Sequence, residues 1–349
     1  MTARVIANEL HAPVVGRVTL RRTVVSCGIL LLVLVSAVAI TALFGSEQLP
    51  AKESLCALLS GGRSICGLTP EQSAILFEIR LPRILLAAAV GASLASAGAG
   101  YQALLRNPLA EPYLLGISNG AAVGTMVALV FFGSVEWSRP VMAFAGALLA
   151  SLAVYQLARG RAGASPERLI LAGVIVTTFL SSAIVFITTL MDATRIRSFT
   201  FWLLGDLSGA TSKLVIGALI VSVLGSGLLS AYARPLNLLM LGERDAFDLG
   251  VEVKRVRVIV FLAAGLLVGT SVASSGSVGY VGLVVPHLVR LSLGGDNRIT
   301  IPAATLAGAL FVVVADTIAR TVIAPRELPV GAITALIGAP LFIYLLRRG

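Results

Sequence analysis

Long apolar segments alternate with short polar ones along almost the whole chain, and this pattern predicts membrane-spanning helices. Ten segments have the hydropathy of a span: residues 24–44, 81–103, 112–133, 140–158, 168–191, 213–232, 257–275, a short 282–293, 301–323 and 329–346. A helix needs roughly 20 apolar residues to cross the hydrocarbon core. The pattern therefore predicts an all-α polytopic membrane protein, with a single transmembrane domain over residues 1–349.

The composition agrees with this interpretation. Hydrophobic residues make up 57% of the chain and charged residues 13%, whereas soluble domains have about 45–50% and about 25%. Residues 1–23 are polar and basic, and the apolar run over 24–44 has 21 residues. That run is longer than the roughly 7–15 residues of a signal-peptide core. We expect a cytoplasmic N-terminal segment followed by a retained first span.

The net charge of +10 comes almost wholly from arginine. In a membrane protein such an excess marks cytoplasmic loops rather than a nucleic-acid site. With the N-terminus inside, 17 Lys and Arg residues fall on the cytoplasmic side and 10 outside. The bias predicts that both termini are cytoplasmic, and it leaves several outer arginines that need another explanation.

Two stretches share the pattern G-x-S-x-A-S-x-G, GASLASAG at 91–98 and GTSVASSG at 269–276, and Pro108 and Pro286 have the same offset of 178 residues. An odd number of predicted spans separates the two copies, so they would run in opposite directions. Spans 2–5 and 7–10 would then form an inverted repeat, as in many transporters. Chance similarity stays open, because small residues are common in spans.

The segment over residues 233–257 is polar and interrupted, yet it carries apolar side chains on one side. This pattern predicts one or two short amphipathic helices over 236–252, joined at Gly242. A helix resting on lipid headgroups is the alternative. Its acidic residues Glu243, Asp245 and Asp248 suit an anionic leaflet poorly, which favours a protein partner.

Missing motifs narrow the function. A Walker A motif needs Gly directly before Lys, and the residues before the three lysines are Ala51, Ser212 and Val253. ATP hydrolysis would therefore require a partner. His11 and His287 are the two histidines, and no acidic cluster crosses the middle of the spans. An ion-coupled secondary carrier usually needs such groups, so that class and an intramembrane hydrolase remain weaker alternatives.

Three local features predict an ion pair, a disulfide bond and a turn. Asp316 lies in a predicted span, where a charge is costly, and Arg320 at i+4 can pair with it; a structural pair and a functional role are both open. Cys56 and Cys66 lie in an exported loop, where disulfides persist, so we expect them to be bonded. The glycines over 276–282 should turn the chain at the outer face, with His287 holding that turn by a hydrogen bond.

Three long motifs resemble one family. They are RLPRILLAAAVGASLASAGAGYQALLRNPLAEPYLLGISNGAAVG at 80–124, SSGSVGYVGLVVPHLVRLSLGGDN at 274–297 and ADTIARTVIAPRELPVGAITALIGAPLFIYLL at 315–346. They are similar to the permease subunits of ABC importers for haem, iron-siderophores and vitamin B12, the FecCD type. The signature residues of the first two motifs are Asn107, Pro108, Gly279, Gly282, Pro286 and His287.

The resemblance implies a homodimer of ten-span subunits in the bacterial inner membrane, surrounded by membrane lipid. Two cytoplasmic ATP-binding subunits would bind ATP and Mg, and a periplasmic binding protein would deliver the ligand. The permease chain itself would hold no cofactor, metal or nucleic acid and would have no catalytic residue.

The resemblance also assigns roles to residues. Gate residues before span 5 would be Ser165, Pro166 and Glu167, of which the last two depart from the family's Thr/Ser pair. Arginines that dock the binding protein would be Arg80, Arg83 and Arg320. Residues that couple to the ATPase would be Leu241, Gly242, Glu243, Arg244, Ala246, Phe247, Leu249 and Gly250.

The ligand prediction depends on one segment. RIRSFTFWLLGDLSGAT at 195–211 is similar to the form found in haem permeases, except that Asp206 replaces the usual Ser. This favours haem as the ligand, with an iron-siderophore and then cobalamin as the alternatives.

Overall fold

The computed structural model describes residues 19–348 apart from 46, 48, 62–66, 133–136, 161 and 162. The first half contains α1 Leu20–Leu43, α2 Ala51–Leu59, α3 Pro70–Ala74, a π-helical turn Ile75–Arg80, α4 Leu81–Leu104, a 3-10 turn Pro112–Leu115, α5 Ile117–Phe131, α6 Ser138–Ala158 and α7 Pro166–Thr188. Strands β1 Arg159–Gly160 and β2 Gly163–Ala164 form a small antiparallel hairpin between α6 and α7.

The second half contains α8 Ala193–Leu203, α9 Ser212–Ala231, α10 Ala233–Leu241, α11 Glu243–Asp248, α12 Val253–Ser275, α13 Val281–Leu293, α14 Asn297–Thr321 and α15 Val330–Arg348. Among the described residues, seven helices are long and apolar enough to cross a membrane: α1, α4 with its preceding turns, α6, α7, α9, α12 and α14. Helices α5, α13 and α15 are apolar but shorter. These ten helices coincide with the ten predicted segments, which confirms the predicted fold.

Helix α4 is the centre of the bundle. Nearly every residue from Pro82 to Leu104 is buried, and α4 packs against α9, α12, α13 and α14. Small residues allow this close packing: a Cβ on Gly91 would collide with the backbone of Gly308, and one on Gly98 with the backbone of Gly282. Close approach at small residues is how membrane helices gain packing energy.

Helix α1 lies at the edge of the bundle. Of its 24 residues, Thr41 and Ala42 are buried, and its main neighbour is α14. A helix that is apolar all round and largely uncovered by protein suits a lipid environment. The apolar outer faces of α7 and α9 are exposed in the same way.

The sequence repeat does not map onto equivalent positions. Residues 91–98 lie inside α4, whereas 269–276 run past the end of α12. Pro108 lies outside any helix, and Pro286 lies within α13. The fixed offset of 178 residues therefore fails in the structure. The order of elements does recur. In each half a long buried helix is followed by a break and then by a short helix: α4 and α5 in the first half, α12 and α13 in the second.

The bundle has two ends, and two breaks interrupt its helices. The lower end of the bundle carries α10 and α11, next to the end of α4, and the upper end carries Arg83, in the first turn of α4. The first break is residues 105–116, between α4 and α5. The second break is residues 276–280, between α12 and α13. At 1.5 Å per residue, α4 spans roughly 36 Å between the two ends.

Candidate functional site

Helices α10 and α11 are the two short helices predicted around Gly242. Gly242 has φ of 146°, a conformation that L side chains rarely adopt, and it lets α11 start directly after α10. Leu236, Leu239 and Ala246 are buried against the bundle. Ala246, predicted to contact a partner, therefore packs inward and anchors α11.

The opposite side of this helix pair is apolar and uncovered. Leu241 is 68% exposed, Phe247 70% and Leu249 62%. Arg244 and Gly250 are also exposed. Large apolar side chains presented together among charged neighbours mark an interaction surface, and we call these three residues the apolar face of α10 and α11.

Ion pairs fasten α11 to the bundle. The Glu243 carboxylate binds the guanidinium of Arg257, a buried residue of α12. Arg106, in the first break, places its guanidinium 4.0 Å from the same carboxylate. Glu243 thus joins α11 to two other parts of the chain, so a displacement of α11 acts on both.

Helix α10 is fastened to the turn before α14. The Asn237 amide donates to the Asp296 carboxylate at 2.7 Å and accepts from the Asn297 backbone N–H at 2.8 Å. Burial raises the pKa of the Asp296 carboxyl, but hydrogen bonds from Arg298 and Asn237 outweigh burial and hold that pKa below its usual value. Asp296 is therefore ionised and suited to accept these bonds.

The first break begins at the predicted Asn-Pro signature. The Asn107 N–H donates to the Gln102 carbonyl at 3.0 Å, and its side chain accepts from the Leu109 N–H at 2.9 Å. These bonds end α4 and turn the chain, with Pro108 exposed beside them. The signature therefore acts as a helix stop.

The second break lies between a cavity at the upper end, the upper cavity, and the interior of the bundle. Gly282 contacts Leu94 and Pro112, and its carbonyl accepts from the Gln102 amide at 3.3 Å. We predicted that residues 276–282 turn at the outer face. The structure places Gly276 next to the upper cavity and Gly282 farther down, packed against α4, whereas Gly279 has open space around it.

His287 has a different place from the one predicted. Pro286 is buried in the second turn of α13, and His287 is half-buried beside it. Within the described part of the chain His287 forms no hydrogen bond. The bonds that hold the second break come from Glu111 and Tyr113 of the first break. Sequence analysis missed both residues, because their partners are backbone groups more than 160 residues away.

A buried ion-pair cluster occupies the upper end. Arg83 binds Asp316 at 3.0 Å and Glu327 at 2.6 Å, and Arg320 binds Asp316 at 3.0 Å. Arg80 donates to the backbone carbonyls of Ala42, in the last turn of α1, and Glu47, which follows α1. The three arginines predicted to dock a partner are each at least 92% buried. This structure thus places them inside the bundle, paired with acids and carbonyls, rather than on its surface.

A cavity of about 210 Å³ opens beside this cluster. Arg83, Phe201, Asp206 and Glu327 are among its lining residues. The segment over 195–211 supplies one wall, because α8 places Phe201 there while Phe199 stacks on Trp202 with ring centroids 6.1 Å apart. The haem-permease-like segment therefore faces a pocket at the upper end.

The predicted gate residues begin a helix. The Ser165 side chain accepts from the Arg168 N–H at 3.4 Å as the N-cap of α7, and Pro166 and Glu167 follow in the first turn. These are the residue types that stabilise a helix start. Cys56 is disulfide-bonded and Cys27 is free; Cys66 lies outside the described residues.

Comparisons with known proteins agree on one class. The model of the FecCD transport family matches residues 30–348. The cobalamin import system permease BtuC of Halobacterium salinarum is 44% identical, covering 80% of this chain and 75% of that protein. The hemin transport system permease HmuU of Yersinia pestis is 42% identical, covering 78% and 83%. A solved inward-facing metal-chelate type ABC transporter has a TM-score of 0.82 at 31% identity, covering 93% and 99%.

Proposed function

This chain belongs to the FecCD transport family and is the permease of an ABC importer, and from that premise we propose that it carries haem across the bacterial inner membrane. The supporting observation is the segment over 195–211, which resembles that of haem permeases and lines the upper cavity. The Yersinia hemin permease is among the similar proteins.

Cobalamin is the second candidate ligand. The Halobacterium cobalamin permease has 44% identity over 281 residues, against 42% over 281 residues for the hemin permease. Asp206, on the wall of the cavity, replaces the Ser expected in the haem form. An iron-siderophore is the third candidate, consistent with the metal-chelate type of the solved neighbour.

We further propose that two copies of this chain work with two ATP-binding subunits, which hold ATP and Mg, and with a periplasmic binding protein. The apolar face of Leu241, Phe247 and Leu249 supports this proposal, because it lies at helices anchored to the bundle and the described residues leave it exposed. The ATPase would dock there and move α10 and α11. Both chain termini would then be cytoplasmic, on the lower side.

A binding protein that docks at the upper end through its carboxylates needs a cation on the permease surface. Arg80, Arg83 and Arg320 are buried, so they would reach a partner's carboxylates only after the cluster opens. Arg326 is exposed on the same loop as Glu327 and is available to a binding protein at once. We propose that Arg326 makes the first contact, and that Ser165 to Glu167 act at the lower end of the pathway.

The ligand is tested with the cognate periplasmic protein. Its affinity is measured for haem, cobalamin and a panel of ferric siderophores, and each compound then competes with labelled haem for uptake by vesicles containing the complete importer. We expect haem to bind the periplasmic protein and to compete, and the other compounds to do neither. Binding and uptake of cobalamin without haem would contradict the haem assignment and leave the importer assignment standing.

A further inference from the structure

The two helix breaks are hydrogen-bonded to each other. The Tyr113 hydroxyl donates to the Val278 carbonyl at 2.9 Å and accepts from the Val278 N–H at 3.0 Å. The Glu111 carboxylate accepts from the Tyr280 N–H at 3.2 Å. The Tyr113 hydroxyl thus pairs both the N–H and the C=O of Val278. The Glu111 carboxylate pairs the N–H of Tyr280, the residue directly before α13.

These bonds lie inside the bundle. Gly282 contacts Leu94 and Gly98 of α4, which at 1.5 Å per residue are roughly 20–26 Å along the helix from Leu81. Non-helical backbone at membrane depth is tolerated where protein groups pair its N–H and C=O. Glu111 and Tyr113 provide that pairing, so the two breaks hold each other in place.

The first break also contacts the lower end. Arg106 lies 4.0 Å from Glu243 of α11, and Glu243 binds Arg257 of α12. Four residues separate Arg106 from Glu111 within the same non-helical segment. A displacement of α11 therefore acts on a short stretch of chain that ends at the bonds to the second break.

The second break also contacts the upper end. The carbonyl of Ser275, directly before it, accepts from the Asp206 N–H at 2.8 Å, and the Gly205 carbonyl accepts from the Val330 N–H at 3.2 Å. Asp206 and Val330 line the upper cavity together with Glu327. The bonded breaks thus lie between the helices proposed to contact the ATPase and the upper cavity, which the 195–211 segment lines.

We infer that Glu111 and Tyr113 are positioning residues of the transport cycle, which pass a displacement of α10 and α11 through the second break to the walls of the upper cavity. This inference depends on the proposed coupling of the chain to an ATPase. A tyrosine with a purely stabilising role would affect the amount of folded importer. A transmitting tyrosine affects how much ATP each imported ligand requires.

Tyr113→Phe tests this with Tyr101→Phe as the matched control. Tyr101 is buried, and its hydroxyl donates to the Phe261 carbonyl at 3.0 Å between α4 and α12, a bond that involves neither break. Each variant removes one tyrosine hydroxyl that bonds the backbone of a distant segment of the chain. The complete importer is reconstituted with its ATPase and binding protein, and ATP hydrolysis and ligand uptake are measured together.

We expect Tyr113→Phe to retain basal ATP hydrolysis and to raise the ATP used per ligand at least about five-fold, in the range of ordinary coupling free energies. Tyr101→Phe should leave that ratio unchanged. Glu111→Gln keeps an acceptor for the Tyr280 N–H and should stay closer to wild type than Glu111→Ala. Equal ratios for Tyr113→Phe, Tyr101→Phe and wild type would overturn the inference.

If Tyr113→Phe does not assemble, hydrogen exchange on the wild-type importer tests whether the second break moves together with α11. The amides of Val278 and Tyr280 should change protection between nucleotide-free and ATP-trapped states, together with those of α11. A change in α11 without any change at these two amides would refute the inference. A wild type that shows no ATP-dependent uptake would instead contradict the proposed function, so the two failures are distinguishable.

Discussion

At the scale of residues, Asp316 is the acid around which the upper cluster is organised. It pairs with Arg83 and Arg320, and Glu327 adds a second carboxylate to Arg83 from the edge of the bundle. Buried charges are tolerated when they are paired. Removing one partner leaves the others buried without an opposite charge, so that their desolvation cost is no longer offset. The cluster therefore holds α4, α14 and the loop before α15 in one arrangement.

Charge reversal at Arg83 and Arg326 should separate stability from docking. Arg83→Glu places a third carboxylate beside Asp316 and Glu327, and we expect a loss of at least about 3–5 kcal/mol in the free energy of unfolding. Arg326→Glu lies on the surface and should keep stability while weakening association with the binding protein. Thermal unfolding and a binding titration measure the two effects. Unchanged binding by the folded Arg326→Glu variant would refute the docking proposal.

At the scale of helices, hydropathy alone predicted where several spans begin and end. The predicted segment 213–232 matches α9, and 282–293 matches α13, each within one residue. These limits are local properties, because Thr211 starts α9 as its N-cap and Gly276 ends α12, and each lies directly beside its helix in the sequence. The amphipathic α8 was not predicted as a helix, since its stability depends on covering α5 and not on its own hydropathy.

Phe247→Ala should weaken binding of the ATPase without unfolding the permease. Phe247 is 70% exposed and contributes little to the core, whereas aromatic side chains dominate binding energy at interfaces. We expect about a 30-fold loss in affinity for the ATP-binding subunit, from a cost of about 2 kcal/mol. Leu224→Ala, on the exposed face of α9, is the control. Equal affinity for both variants would contradict docking at the apolar face.

At the scale of the whole molecule, the functional parts lie along one axis. The apolar face is at the lower end, the bonded breaks lie within the bundle, and the ion-pair cluster with its cavity is at the upper end. Motif and charge in the sequence indicated residues at both ends as candidate interaction sites. Sequence reasoning missed the breaks' mutual bonds and the burial of Arg80, Arg83 and Arg320, since both depend on contacts between residues far apart in the chain.

Uptake by reconstituted vesicles tests the central claim, that this permease works in an ATP-driven importer. The permease, its ATPase and its binding protein are reconstituted, and ion gradients are collapsed with ionophores before labelled ligand is added. We predict uptake that persists without ion gradients and stops when ATP is withheld from the ATPase side. Uptake that is abolished by the ionophores and indifferent to ATP would identify an ion-coupled carrier and contradict the account.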